Sequence, residues 1–388
     1  MTGANTEGAL SGVRVVELAS LGPTPFCGMM LGDMGAEVIR IERVEDAGLG
    51  IELPYRYDLR NRNKRSVALN LKTVQGRAVL ERLIARADVL LEGFRPGVAE
   101  RLGFGPERCH ELQPKLVYAR ATGWGQDGPL SQAAGHDINY IGLTGALDMM
   151  GPADGPPALP LNLVGDYAGG ALYMAFGIVC ALRSADHSGK GQVVDAAMID
   201  GVTSLLTVFH GLRQSGSLLP RGQNVLDGGA PYYRCYRTRD DGWMAVGPIE
   251  SKFYGVFLDR LGIAGIDLPE QNDRGGWSRL EQSIAERFIS GTRSEWEEVF
   301  AGSDACVSPV LSLAEAPESA HCRARDMFLT LEGIEHPRPA PRLSRTPGRV
   351  RSNAPRPGED TTSLLRELGL TDNEIAAGNA AGAFSVRV

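Results

Sequence analysis

Residues 13–41 read VRVVELASLGPTPFCGMMLGDMGAEVIRI, and this stretch decides the fold class. Val13 to Leu18 is an apolar run rich in β-branched residues, and Glu37 to Ile41 is a second run of this kind. Between them, Pro25 to Met34 places its apolar residues at helical spacing. Two strands joined through one helix form a βαβ unit, whose strands lie parallel in one sheet. The stretch therefore predicts an α/β fold built on a parallel sheet.

The same alternation continues along the first half of the chain. A helical pattern over 70–87 is followed by the strand patterns DVLLEGF (88–94) and LVYAR (116–120). A loop rich in glycine and proline then runs over 121–161, and loops of this length inside compact domains usually carry function. After it, an apolar helix is predicted from Asp166 to about Arg183.

The sequence pattern changes near Arg221, at the start of the second half of the chain. The segment YYRCYRTRDDGWMAVGP (232–248) predicts a hairpin whose turn lies at Asp240, Asp241 and Gly242. Helical segments alternate with polar loops from there to about Leu331, which indicates a smaller α+β domain. Residues 336–360 are rich in proline and arginine and are expected to be extended.

Composition excludes several classes of protein. The chain has 388 residues, 43% of them hydrophobic, and a net charge of −7, which allows a full core and argues against a nucleic-acid partner. Its six cysteines lack the spacing of a zinc site or a disulfide framework, which favours a reducing compartment. Neither the MTGANTEGALSG start nor the SVRV end resembles a targeting signal. The apolar run from Tyr167 to Leu182 is short for a membrane span. We therefore expect a cytoplasmic protein with no membrane partner.

A dinucleotide site is the first functional hypothesis that the βαβ unit suggests. Glu42 ends the second strand, about where a ribose-binding carboxylate would lie. The connection ASLGPTPFCG (19–28), however, separates its two glycines by two prolines, whereas close approach to a pyrophosphate requires flexible backbone. The sequence argues against a nicotinamide cofactor.

A basic cluster is the second candidate site. The segment LRNRNKR (59–65) contains Arg60, Arg62, Lys64 and Arg65, and such a cluster is either a solvated face or a phosphate anchor. Charge alone favours the solvated face. Arg95 and Arg101 follow a strand end, where α/β folds place ligands, and they favour an anionic ligand nearby.

The third candidate is His136 with Asp137, followed by Asp166. A lone histidine is more often structural than catalytic, and an acidic residue before a helix is usually an N-cap. Asp166, however, lies between an apolar segment and an almost wholly apolar helix, where a carboxylate is partly desolvated. Such a group is a candidate for acid–base chemistry. The residues themselves leave both interpretations open.

Several long motifs in one order resemble the family III CoA-transferases. They include NRNKRSVALNLK (61–72), EGFRPGVAERLGFG (92–105), ATGWGQDGPLSQAAGHDINY (121–140), LNLVGDYAGG (161–170) and SGKGQVVDAAMIDG (188–201). Within that family the chain looks most like the racemases of 2-methylacyl-CoA thioesters. The resemblance implies a Rossmann-like large domain, a small α+β domain and an interlocked homodimer, with each active site between the large domain of one subunit and the small domain of the other. It implies no metal and no cofactor, since CoA is part of the substrate.

The expected domain boundaries follow from this resemblance and from the change of sequence pattern near Arg221. The large domain occupies 1–200, a linker helix 201–224, the small domain 225–331, and a segment returning to the large domain 332–388.

By the same resemblance, His136 and Asp166 correspond to two catalytic bases, and Glu250 in GPIESKFY to a supporting acid of the small domain. The residues expected to bind the substrate's CoA are Arg43, Leu69, Lys72, Gly93, Phe94, Arg95, Arg101, Gly135, Asp137, Ile138, Asn139 and Tyr140, the last four through their backbone. If the bases lie on opposite faces of an enolate, one removes the C2 proton and the other returns a proton. Amides at the start of the helix after Asp166 are a candidate for stabilising the enolate oxygen.

Two other functions belong to the same set of motifs. A CoA-transferase would use the carboxylate of Asp166 as a nucleophile, and such relatives typically lack the histidine at the position of His136. A CoA-binding protein without catalysis is the other alternative. The acyl chain is left open, and the segment 44–59 matches no part of the family pattern.

Overall fold

A computed structural model of the protein describes residues 8–385 apart from 46, 47 and 49. The first seven and the last three residues, part of the segments on which the expectation about targeting signals rests, lie outside the described residues. The chain divides into two compact units. The large unit comprises Met1–Thr144, Leu161–Leu205 and Ala324–Val388, and the small unit comprises Gly145–Pro160 and Leu206–Arg323.

The large unit is built on a sheet of six parallel strands in the order β3-β2-β1-β4-β5-β6. The strands are β1 (Arg14–Leu18), β2 (Glu37–Glu42), β3 (Lys64–Ala68), β4 (Val89–Glu92), β5 (Val117–Thr122) and β6 (Val193–Ala197). The predicted parallel α/β fold is confirmed. The strand order reverses between β1 and β4, and ligands of such sheets bind at that point, beyond the carboxyl ends of the strands.

Helices cover both faces of this sheet. In chain order they are α1 (Pro23–Asp33), α2 (Val74–Ile84), α3 (Val98–Arg101), α4 (Pro106–Leu112), α5 (Asp137–Leu143), a π-helical segment (Leu163–Leu172) that continues into α6 (Tyr173–Ser188), and α7 (Met198–Leu205). The C-terminal part adds the antiparallel pair β10 (Phe328–Leu331) and β11 (Ile334–Pro337), then α13 (Thr361–Glu367) and α14 (Asp372–Ala380).

Alternating strand residues feed two hydrophobic cores. Val16 and Leu18 face a core that includes α2, α13 and α14, whereas Val15 faces the core formed with α1 and α6. A sheet covered on both faces requires apolar side chains on both sides of its strands. This is why RVVEL is almost continuously apolar.

The helix after the long loop is longer than the sequence indicated. The π-helical segment and α6 together span Leu163–Ser188, 26 residues, instead of ending near Arg183. Among the described residues, this helix is long and apolar enough to cross a membrane. Its most apolar stretch of 18 residues has a mean hydropathy of 1.4, and 33% of that stretch is buried in the protein. The expectation that the run is too short for a span was wrong, although core helices of soluble proteins also meet this criterion.

The small unit has its own core and a three-stranded antiparallel sheet. Its elements are α8 (Thr207–Gln214), β7 (Arg234–Arg237), β8 (Trp243–Val246), α9 (Ser251–Leu261), α10 (Trp277–Phe288), α11 (Arg293–Phe300), β9 (Val307–Pro309) and, at its end, α12 (Ala320–Ala324). Strands β7 and β8 form the predicted hairpin, with Cys235 opposite Ala245.

The two units differ from the expected domain boundaries. Residues 145–160 belong to the small unit, the expected linker 201–224 is split between α7 and α8, and the small unit ends at Arg323. Arg221 explains the first difference, because its guanidinium donates to backbone oxygens of Asp148, Pro152 and Gly155 at 2.9–3.0 Å. No local sequence pattern reveals such contacts.

Candidate active site

Asp166 lies in the first turn of the π-helical segment, not in front of a helix. Asn162, at the N-cap position, donates from Nδ2 to Asp166 Oδ2 at 3.0 Å. π-helical turns are rare and frequently mark functional sites. The N-cap interpretation of Asp166 was therefore wrong, because the helix begins before it.

Asp137 connects this turn to α5. Its side chain is buried, and its Oδ2 accepts the backbone N–H of Asp166 at 2.7 Å. A side chain at Gly165 would collide with the same oxygen, so only glycine allows the carboxylate to approach the backbone this closely. This hydrogen bond thus fixes the backbone of Asp166 relative to Asp137, which directly follows His136 in the chain.

His136 immediately precedes α5 and is exposed to solvent. Its backbone is held on both sides: its N–H donates to Asn139 Oδ1 at 3.0 Å, and its carbonyl accepts from the N–H of Asn139 at 2.8 Å. His136 is also close enough for its charge to lower the pKa of Asp166. The structure therefore brings His136 and Asp166, the residues that the sequence proposed as bases, into the same region, and hydrogen bonds hold the backbone of each.

Burial raises the pKa of Asp166 above its ordinary value. The hydrogen bond from Asn162 opposes this shift, the negative charge of Asp137 adds to it, and the charges of His136 and Arg60 oppose it. A carboxyl group with a raised pKa exchanges its proton more readily near neutral pH. Asp166 thus has the properties of an acid–base group.

The connection from β1 to α1 forms one wall beside Asp166. Gly22 in this connection has a φ of +66°, and a Cβ there would lie 3.3 Å from Asp166 Oδ1. Asp166 therefore stands at the carboxyl end of β1, next to the point where the strand order reverses. This is where α/β sheets of this type place their ligands.

Comparisons with known proteins agree with this geometry. The sequence profile of CoA-transferase family III matches residues 10–361. The chain belongs to CoA-transferase family III. It is 48% identical over 370 residues to the α-methylacyl-CoA racemase of Mus musculus, covering 94% of this chain and 95% of that protein. It is 45% identical over 373 residues to the enzyme of the same name from Homo sapiens, covering 95% of both.

A solved structure shows the same fold for another member. A CaiB/BaiF family protein from Brucella suis superimposes with a TM-score of 0.79 at 26% identity, covering 93% of this chain and 99% of that one. The fold of the chain, with its Rossmann-like strand order, is therefore consistent with its membership of this family.

The residues expected to bind CoA in this family fall into two groups. Arg43, Lys72, Arg95 and Arg101 are exposed, and Arg43 and Arg95 follow the carboxyl ends of β2 and β4. Their side chains are available to an anionic ligand at that edge of the sheet. Gly93, Phe94, Gly135, Ile138 and Asn139 are also at least partly exposed.

Three of the expected CoA residues have buried side chains. Leu69 is 2% exposed and belongs to the hydrophobic core. The ring of Tyr140 packs edge-on against Trp124, with ring centroids 4.7 Å apart, and its hydroxyl donates to the carbonyl of Gly135. The carboxylate of Asp137 is bonded to the backbone of Asp166, as described above. A side-chain contact with CoA does not fit the burial of Leu69, whereas the contact expected of Asp137 and Tyr140 is with their backbone, which this burial does not test.

Three members of the basic cluster form ion pairs within the protein. Arg62 pairs with buried Asp33 at 2.6 Å, Lys64 pairs with buried Glu17 at 2.7 Å, and Arg65 pairs with exposed Glu367 at 2.7 Å. Both interpretations, a solvated face and a phosphate anchor, were wrong for Arg62 and Lys64, because their buried partners lie far away in the sequence. Part of the cluster also forms a strand, β3, which its charges concealed.

Glu250 lies in the small unit, exposed, at the N-cap position of α9. Within the part of the chain that the structure describes, no group of three or more His, Cys, Asp or Glu side chains is arranged to hold a metal ion. Asn162 was missed as a site residue. Its position four residues before Asp166, one helical turn away, was the available signal.

Proposed function

We propose that this protein is an α-methylacyl-CoA racemase, which inverts C2 of 2-methylacyl-CoA thioesters. The observation that carries the proposal is the hydrogen bond from the N–H of Asp166 to the side chain of Asp137, the residue that follows His136. The similarity to two proteins named α-methylacyl-CoA racemase supports it. No metal or redox cofactor is part of the proposal.

The reaction moves one proton off C2 and one proton onto it. One base takes the C2 proton, and the electron pair of the broken C–H bond forms the enolate, whose charge rests on the thioester oxygen. The other base, already protonated, gives its proton to the opposite face of C2. Because the two bases exchange protonation states in each turnover, the pair must share one proton.

One detail of the proposed mechanism concerns the donors for the enolate oxygen. Amides at the start of the helix after Asp166 were expected to stabilise this oxygen. The amides of Gly165 and Asp166, which precede those positions, donate to the carboxylate of Asp137. These two amides are therefore occupied within the protein, and the proposed donors are amides that follow Asp166.

Deuterium exchange tests this function. One epimer of a 2-methylacyl-CoA is incubated with the protein in deuterated water, and deuterium entering C2 with epimerisation supports the racemase. A CoA-transferase would instead form a covalent intermediate on Asp166 that hydroxylamine traps. A non-catalytic CoA-binding protein would bind the ester without exchange. A panel of branched fatty acyl, bile-acid-precursor and aryl-propionyl esters would then define the acyl chain.

We further propose that the protein works in the cytoplasm as an interlocked homodimer, with Glu250 supporting the catalytic groups. An exposed apolar face on the long helix supports a second copy as partner: Leu172, Phe176 and Val179 are 46%, 70% and 47% exposed. Sedimentation at micromolar concentration would show twice the chain mass. Flotation with lipid vesicles would instead indicate that a membrane covers this face.

A further inference from the structure

Arg120 lies on β5, opposite Glu92 of β4, and bridges two carboxylates. Its Nε donates to Glu92 Oε1 at 2.9 Å, and its Nη2 pairs with Glu100 Oε1 at 2.9 Å. The Glu92 side chain is fully buried and that of Arg120 is 9% exposed, whereas that of Glu100 is 44% exposed. A planar guanidinium that meets two carboxylates through different nitrogens fixes the direction to each of them. Arg120 therefore connects a buried strand end to the exposed side of α3.

Glu92 extends this connection to the backbone of the next segment. It is the last residue of β4, and its second oxygen, Oε2, accepts the N–H of Phe94 at 2.6 Å. Arg95 follows directly, with its side chain exposed at the carboxyl end of the strand. A buried carboxylate with a partner on each oxygen thus sets the path of the chain that carries Arg95.

Glu100 connects the same network to a second arginine. It belongs to α3 and immediately precedes Arg101, the last residue of this helix. The helix has only four residues, so its own hydrogen bonds hold it weakly. The ion pair with Arg120 therefore helps to fix where Arg101 lies relative to the sheet. Arg95 and Arg101 are the two exposed arginines that favour an anionic ligand at this edge.

The backbone at Gly93 also touches the wall of the candidate active site. A Cβ on Gly93 would lie 2.8 Å from Ser20 Oγ and 2.9 Å from Thr24 Oγ1, so the chain there is in close contact with the connection from β1 to α1. Gly22, in the middle of that connection, is the residue beside Asp166. A ligand held by this part of the chain is therefore held on a backbone that packs against the wall beside the candidate base.

We propose that Arg120 is a positioning residue for CoA. Through its two carboxylate partners it holds the chain so that Arg95 and Arg101 present their guanidinium groups to the phosphates of CoA. This inference rests on the proposed function, which requires a CoA thioester. Arg120 acts through its partners and need not touch the ligand. Lysine cannot replace it, because an ammonium group has no fork that meets two carboxylates in fixed directions.

Calorimetry with CoA itself tests the inference without depending on turnover. Glu100→Ala and Arg120→Lys are compared with Glu107→Ala, a control that removes an exposed acid from the neighbouring helix α4. We expect Glu100→Ala to raise the Kd of CoA about fivefold, because α3 loses its tie to the sheet and must be ordered when the ligand binds. Electrostatics alone predicts the opposite sign, since removal of a negative charge near an anionic ligand lowers its Kd. The control should leave the Kd unchanged or slightly lower.

Arg120→Lys keeps the net charge and should also raise the Kd about fivefold. Adding Glu100→Ala to it should have little further effect, because the lysine variant has already lost that contact, whereas independent effects would multiply. In deuterium-exchange assays the KM for the acyl-CoA should rise by a similar factor with kcat nearly unchanged. An acyl-pantetheine ester, which lacks the phosphates, should be epimerised equally by the wild type and the variants.

A Kd that is unchanged or lower in folded Glu100→Ala protein overturns the inference. An equal loss of activity on the acyl-pantetheine ester also overturns it, because the damage would then not concern the phosphates. A wild-type protein that binds CoA but exchanges no deuterium at C2 overturns the proposed function, and the Kd values still decide the positioning role. A wild-type protein that binds no CoA overturns both.

Discussion

Two carboxylates of the large unit have opposite surroundings. Glu17 is fully buried, and its oxygens meet Lys64 at 2.7 Å and Arg40. Asp166 is only partly buried, and its oxygen meets the neutral amide of Asn162. Its backbone, moreover, is bonded to a second carboxylate, Asp137.

The difference shows how one fold separates structural charges from chemical ones. A buried carboxylate enclosed by two cations forms ion pairs that hold the neighbouring strands together. A carboxylate near another carboxylate, with a neutral hydrogen-bond donor, has a raised pKa and can exchange its proton. The charges of β2 and β3 belong to the first kind, and the turn around Asp166 belongs to the second.

Removing either base should have the largest effect. His136→Ala and Asp166→Asn are each expected to reduce epimerisation by about 10³-fold, because each removes one of the two proton-transfer steps. CoA binding, measured by calorimetry, should stay close to that of the wild type. His187→Ala, at the exposed end of α6, is the control and should retain full activity. Substantial activity in either base variant would contradict the two-base mechanism.

Breaking the structural charge cluster should cost stability instead of chemistry. Lys64→Met leaves Glu17 buried with one fewer cation, and we expect a loss of about 3–5 kcal/mol in the free energy of unfolding in urea. Lys72→Met, at an exposed position, should change it by less than about 0.5 kcal/mol. Adding Glu17→Gln to Lys64→Met should recover part of the loss. Equal stability of Lys64→Met and wild type would show that the pair is not important for folding.

Asp137→Ala should have an intermediate effect on activity. The variant frees the backbone at Asp166, and we expect kcat to fall by about 10²-fold with little change in KM, because the base loses its fixed position. Asp127→Ala removes an exposed acid of the same loop and is the control. The opposite result, a raised KM with normal kcat, would make the side chain of Asp137 a CoA contact.

The smallest effect concerns stability against pH. The pKa of Asp166 is raised in the folded state, so its ionised form opposes folding at neutral pH. Asp166→Asn should therefore be more stable than the wild type at pH 7, by roughly 0.5–1 kcal/mol. This difference should disappear as the pH falls below the pKa of the unfolded aspartate, since both side chains are then neutral. A constant difference at all pH values would assign it to packing.

Local patterns predicted the regular elements well. The run RVVEL and the hairpin over 232–248 were recognised because strand alternation and turn residues act over a few neighbours. The strand β3 was missed because its lysine and arginine suggested a surface. Its charged side chains are compatible with this strand because Glu17 meets Lys64, and Glu37 and Glu367 meet Arg65, and those partners are set by the fold.

The sequence also identified His136 and Asp166, but through motif resemblance and not through local chemistry. It could not show the bond between Asp137 and the N–H of Asp166, because a carboxylate and an amide 29 positions apart have no sequence signal of contact. For the same reason Leu69 was expected to bind CoA, although its side chain is buried.

By itself, the sequence determined the class of fold, the family and the identity of the candidate bases, because periodicity and motifs are properties of neighbouring residues. Only the tertiary structure decided which charges are locked in ion pairs and which remain able to exchange a proton. That distinction depends on burial and on partners brought together across the sheet. Arg60 and Lys64 are four positions apart in one basic cluster, yet Arg60 stays 32% exposed beside Asp58, whereas Lys64 is enclosed with Glu17 in the core.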